Sequence, residues 1–166
     1  MQGEFTTFYE TEAPRAIRSL TLAFGEPALA EDAVAEAFAR AWSRWPQVRL
    51  SDRPGAWVMR VAINEGRSRL RRRRVERRKA PLVARADELP GGDPPLDPRL
   101  WAAVRRLPER ERTLVALRYV ADLTQPEIAD LLGLPPGTVA SGLHRARTRL
   151  GDEIGHTHQA YQEEAS

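Results

Sequence analysis

Apolar positions recur along this chain at helical spacing, and no segment keeps the period-two alternation of a strand. Phe5, Phe8, Tyr9, Ile17, Leu20 and Phe24 form a first such face, with Pro14 expected to kink or break it and Gly25-Glu26-Pro27 to end it. Val34, Phe38, Ala41, Trp42 and Trp45 then fall at i, i+4, i+7, i+8 and i+11. That stripe predicts an amphipathic helix from about Leu29 to Trp45, whose other side carries Glu31, Asp32, Glu36, Arg40 and Arg44. Pro46 is expected to stop it, and Gln47 to Pro54 reads as a polar loop. A long helix restarts near Gly55, with Trp57, Val58, Val61, Ala62 and Leu70 on its buried side, and runs into an arginine block.

The pattern breaks between Ala80 and Pro98, where five prolines and two glycines forbid a continuous helix or a central strand. Beyond this linker, Leu100, Trp101, Val104 and Leu107 predict one helix, ended by Pro108. Leu114, Leu117 and Val120 predict another from about Arg110 to Val120. From Thr124 onward the signals are denser. Thr124 and Glu127 have the spacing of a capping box, so a helix starts at Thr124. Ala129 is small enough for a close helix crossing, Gly133 permits a positive φ in a tight turn, and Val139 plugs the crossing. This is the spacing of a helix-turn-helix. Its second helix buries Val139, Leu143, Ala146 and Leu150, and presents Ala140, Ser141, His144, Arg145 and Thr148 with Arg147 and Arg149 beside them. Such a face suits the major groove, where arginine bonds a guanine edge bidentately and further cations hold phosphates. The fold class is therefore all-α, in two small helical modules joined by a Pro/Gly-rich linker: residues 1–79, a linker over 80–98, a helix-turn-helix module over 99–150, and a polar, mildly acidic tail over 151–166, expected to be disordered.

Composition narrows the chemistry. The 166 residues are 42% hydrophobic and 30% charged, without cysteine and with only three histidines, His144, His156 and His158. Thiolate metal sites, disulfides and cysteine nucleophiles are excluded, and no metal cluster, phosphate-cradling glycine loop or nucleophile with its base is evident. The reading is of a protein that is not an enzyme and needs no metal or cofactor. No apolar run is long enough to cross a membrane, and the start of the chain lacks a signal peptide, so a cytoplasmic location is expected. The net charge is +3, yet Arg67–Lys79 holds nine basic residues against Glu76 alone, leaving the remainder net negative by five. A focused positive segment on an acidic body suits a polyanion, because clustered cations release counterions from phosphates.

Taken together these residues resemble the extracytoplasmic-function branch of the sigma-70 family, over nearly the whole chain to Leu150. Ala30 to Phe38 and on to Trp42 is similar to the region 2 helix that docks on the clamp helices of the largest RNA polymerase subunit. Pro54-Gly55-Ala56-Trp57-Val58 through Asn64 to Arg74 is similar to the helix that recognises and melts the minus-10 element. Leu107-Pro108-Glu109-Arg110-Glu111-Arg112 and the helix-turn-helix are similar to region 4, which reads the minus-35 element. The resemblance implies that the protein joins core polymerase, through the clamp helices and the flap of the second-largest subunit, and directs promoter-specific initiation. It implies polymerase docking through Asp32, Glu36 and Arg40. Minus-10 reading and strand capture fall to Arg53, Trp57, Arg60, Asn64, Arg67 and Arg71, with the loop Gln47 to Arg53 taking flipped bases. Minus-35 reading falls to Thr138, Ser141, His144, Arg145, Arg147 and Arg149. A monomer when free, and an anti-sigma factor as partner, are further implications.

The chain departs from the family pattern at Ala35, where a glutamine is common, and at Ala140 and Gly142, where lysine or arginine is usual. Gly142 also costs roughly 1 kcal/mol of helix propensity relative to alanine. Two other readings stay open on sequence: a helix-turn-helix regulator that binds DNA without polymerase, and a polymerase-binding adaptor without promoter activity.

Overall fold

The structure is a computed structural model and describes residues 1–79 and 97–164, the side chains of Lys79 and of residues 156–164 excepted. All regular structure among the described residues is helical, and the chain divides into two compact units, Met1–Pro90 and Gly91–Ser166.

In the first unit α1 (Gln2–Phe24) packs on α2 (Pro27–Ser43) and α4 (Pro54–Lys79), with a single short turn, α3 (Trp45–Val48), between them. The break expected at Pro14 does not occur: α1 runs unbroken through it. Pro14 faces solvent, while Ala13 and Ala16 are buried, and packing of both halves of α1 outweighs the one backbone bond proline removes. Gly25 ends the helix at φ 72°, its N–H bonding Thr21 O at 2.8 Å. Pro27 then opens α2 in the first turn, where a missing N–H costs nothing. Pro46 likewise starts α3 rather than stopping α2, which has already ended at Ser43. Leu20, Leu29, Val34, Val58 and Ile63 are fully buried at the centre.

The stripe on α2 is corrected at one position. Val34, Phe38, Ala41 and Trp45 are buried, but Trp42 is 46% exposed. At about 100° per residue it lies some 80° from Val34, on the stripe's edge. It meets Phe5 edge-on at 4.9 Å, within an aromatic group that also holds Phe8, Phe38 and Trp45.

In the second unit Asp97 and Pro98, assigned above to the linker, instead cap and open α5 (Pro98–Arg106), with the Asp97 carboxylate accepting from Arg99 N–H at 2.8 Å. The rest of the linker lies outside the described residues. The helix expected over 110–120 begins at Glu109 as α6 (Glu109–Val115) and passes into a π-helical turn, Ala116–Val120. There Ala121 N–H bonds Ala116 O and Leu123 N–H bonds Leu117 O, both at 3.0 Å. After Asp122, at φ 57°, come α7 (Gln125–Leu132) and α8 (Pro136–Glu164). The helix α8 does not stop at Leu150, which is only partly covered, but continues to Glu164 through the segment expected to be disordered. Glu153 of that extension pairs with Arg106 of α5, which gives the extra turns a packing partner.

Candidate nucleic-acid and partner-docking surfaces

The capping box forms as its spacing predicts. Thr124 N–H donates to Glu127 Oε2 at 2.7 Å, and Glu127 N–H reaches Thr124 Oγ1 at 3.4 Å. Gly133 adopts φ 63°, and Leu134 N–H closes the turn on Ala129 O at 2.9 Å. Ile128, Val139, Leu143 and Ala146 are completely buried, so α7 fixes where α8 crosses. Because the box orders only the first turn of an eight-residue helix, Thr124→Ala is expected to destabilise the unit by about 1 kcal/mol. Thermal melting followed by circular dichroism measures that loss.

On α8, Ser141, His144, Arg145, Arg147, Thr148 and Arg149 are exposed and Thr138 is half-buried. The Ser141 hydroxyl donates to Thr138 O at 3.2 Å and that of Thr148 to His144 O at 3.1 Å, so both retain acceptor capacity toward a ligand. Three of the arginines already have protein partners. Arg147 Nη1 donates to the Tyr119 hydroxyl at 3.2 Å, with Tyr119 itself 54% exposed on the π-helical turn. Arg145 and Arg149 reach Glu111 of α6 through Nε, at 3.5 and 3.1 Å. Glu111 was not singled out by sequence, although it falls on the buried face of α6 with Leu114 and Val115.

Gly142 is not simply a lost surface cation. It is buried, and a Cβ there would come within 2.4 Å of Leu114 Cδ1, whose side chain is itself buried. Gly142→Ala sets a propensity gain of about 1 kcal/mol against an overpacking cost of about 1–3 kcal/mol. The expected net result is destabilisation by about 1 kcal/mol, partly reversed by adding Leu114→Val, as read from melting temperatures.

In the first unit, Trp57, Arg60, Asn64, Arg67 and Arg71 share one stripe of α4, opposite buried Val58, Ala62, Ile63 and Leu70. Trp57 and Val61, expected on the buried side, are only half-buried, and the other four residues of the stripe are exposed. Arg53, also exposed, ends the preceding turn. Of the polar loop expected over 47–54, Gln47 and Val48 belong instead to α3: Val48 is buried, and the Ser51 hydroxyl donates to Val48 O at 2.7 Å. The turn's tip carries Leu50, 74% exposed. Part of the arginine block is engaged within the protein, since Arg73 and Arg77 reach Glu26 at 2.5 and 3.5 Å.

Asp32, Glu36 and Arg40 lie on one outer face of α2, and α4 completes a ladder of alternating charge with them. Arg69 Nη1 stands 3.5 Å from Asp32 and its Nε 3.0 Å from Glu65, while Arg40 meets Glu65 at 3.2 Å and Glu36 at 2.8 Å. The hydrogen bond to Glu36, with the neighbouring charges of Glu36 and Glu65, raises the Arg40 guanidinium above its ordinary value. Sequence reading missed the part of Glu65 and Arg69 in this ladder because their contacts with Arg40 and Asp32 join two helices. Among the described residues there is no group of metal-binding side chains and no helix long and apolar enough to cross a membrane.

Comparison with known proteins follows the same division. The model of sigma-70 region 2 matches residues 8–76, and that of sigma-70 region 4 matches residues 98–150. The RNA polymerase sigma-E factor of Streptomyces coelicolor is 29% identical over 160 residues, spanning 91% of this chain and 86% of that protein. The sigma-E factor of Streptomyces antibioticus is 31% identical over 160 residues, spanning 92% and 87%. Among solved structures, the sigma factor RpoE in complex with the anti-sigma factor NepR from Bartonella quintana shares the fold with a TM-score of 0.75, at 21% identity over 92% of this chain and 97% of that one. CnrH in complex with the cytosolic domain of CnrY does so with a TM-score of 0.59, at 19% identity over 94% and 90%.

Proposed function

The chain belongs to the sigma-70 family, in its extracytoplasmic-function branch, as a factor that binds core RNA polymerase and directs promoter-specific initiation, and from that premise we propose how its residues divide the work. Asp32, Glu36 and Arg40 on α2 dock on the clamp helices of the largest subunit. The α4 stripe of Arg60, Asn64, Arg67 and Arg71 holds the single strand at the minus-10 element, with Arg53 and Trp57 beside the turn that receives flipped bases. The α8 face of Thr138, Ser141, His144, Arg145, Arg147 and Arg149 enters the major groove of the minus-35 element, and the same unit meets the polymerase flap.

The observation that carries this reading is a cationic outer stripe on α4 and another on α8, each backed by a buried apolar face in its own unit. Either small module alone offers little contact area, and tethering two weak ones raises the effective concentration of the second once the first is bound. The chemistry of RNA synthesis belongs to the polymerase; this chain supplies recognition, and it acts in the cytoplasm where that enzyme works. An anti-sigma factor, the kind of partner seen with the Bartonella protein, covers the docking faces when the chain is held inactive.

The test is DNA binding by the full chain with and without core polymerase, using genomic promoter fragments in an electrophoretic shift assay. Specific binding should require core. Tight, specific binding by the chain alone would favour an independent helix-turn-helix regulator.

A further inference from the structure

We propose that Glu111 is a positioning residue for promoter reading, holding Arg145 and Arg149 by their Nε edges so that their terminal nitrogens are set toward the DNA. The inference rests on the assignment of the α8 face to the minus-35 element.

Glu111 is 6% exposed, and a buried carboxylate stays charged only where nearby cations offset the lost hydration. Its cations come from one place. Arg145 and Arg149 lie one turn apart on α8 and meet Oε1 and Oε2 respectively. The α6 helix carries the carboxylate one turn before Leu114, whose side chain packs beside Gly142 in the same stretch of α8.

The geometry is that of a support rather than a closed ion pair. Both arginines approach through Nε, and Glu111 Oε2 has no hydrogen-bond partner of good geometry despite Arg149 at 3.1 Å. The arginine side chains remain 52% and 57% exposed. Contact through Nε leaves the two terminal nitrogens, the pair that spans guanine O6 and N7. A guanidinium whose rotamer is already fixed loses less freedom on docking than a free one. This matters most here because the exposed Ala140 supplies no cation, leaving base reading to a few side chains.

The experiment uses the full chain with core polymerase on a promoter library randomised across the minus-35 element. Transcripts are sequenced to give base preference at each position. Glu111→Gln is nearly isosteric but cannot hold two cations. It is expected to lower preference about tenfold at the positions read by Arg145 while leaving the other positions unchanged. An equal loss at every position, or no loss at all, would overturn the proposal, the first outcome marking Glu111 as purely structural. Should Glu111→Gln fail to fold, Glu111→Asp keeps the charge but draws the carboxylate back by one methylene. It should lose preference at the positions that Arg145→Lys identifies as read by Arg145, and full retention there would overturn the proposal. A wild-type library with no minus-35 preference would instead sink the assignment of α8 on which the proposal rests.

Discussion

Replacing Arg67 and Arg71 together by alanine is expected to weaken promoter opening by the holoenzyme roughly tenfold at about 0.15 M salt. Both side chains are exposed on the α4 stripe, so the substitutions should leave folding within about 0.5 kcal/mol of the parent. The loss follows from counterion release. Each phosphate contact to a single strand adds about 0.7 to the slope of log affinity against log salt. Two lost contacts flatten that slope by about 1.4, which corresponds to the tenfold loss near physiological salt. Open-complex lifetimes measured across a salt series check both numbers. An unchanged slope would place these arginines off the DNA path.

The second large effect is expected from Asp32→Arg/Glu36→Arg, which should reduce affinity for core polymerase about a hundredfold or more. Both residues also belong to the α2–α4 charge ladder, so the defect has to be separated from misfolding. Magnitudes help: exposed ion pairs contribute about 0–1 kcal/mol each, whereas like charges brought together across an interface cost several. A hundredfold loss needs about 2.7 kcal/mol, more than the ladder provides. A charge swap supplies the control. Adding Arg69→Asp to the double variant restores an opposite-charge pair at the Asp32 position, where Arg69 now stands 3.5 Å away. Core binding should stay lost in the triple variant, and its recovery would mean that the double variant had failed only by disturbing the first unit.

How far the sequence foretells this structure depends on the range of the interaction involved. The capping box at Thr124, the turn at Gly133 and the plug at Val139 are local, and each appears where its spacing places it. The linker's composition also divides the chain where two units form. Proline was harder to read, because its effect depends on position and tertiary cover. Pro14 sits inside an unbroken helix, whereas Pro27, Pro46 and Pro98 each open one. The π-helical turn after Val115 escapes any fixed period, since it shifts the phase partway through the element.

The surface chemistry divides in the same way. Exposure of Arg60, Asn64, Arg67 and Arg71 follows from the helical phase of α4 alone. The partners of Asp32, Arg145, Arg147 and Arg149, and Glu65 as the second partner of Arg40, come from other helices, and nothing local to those residues announces them. Glu111 is the partial exception. An acid in the apolar phase of α6 signals a buried carboxylate that needs cations, and arginines four apart on a later helix are candidates to supply them. Gly142 shows the opposite error, in which a departure from family pattern looks like a lost contact and turns out to be a packing position.

The most direct measurement of the central claim is run-off transcription with purified bacterial core polymerase on a pool of genomic fragments, with and without this chain. Discrete start sites that appear only when the chain is added are the predicted result, each preceded by a shared pair of sequence elements at fixed separation. Tight binding to core with no new starts would contradict it and leave a polymerase-binding adaptor.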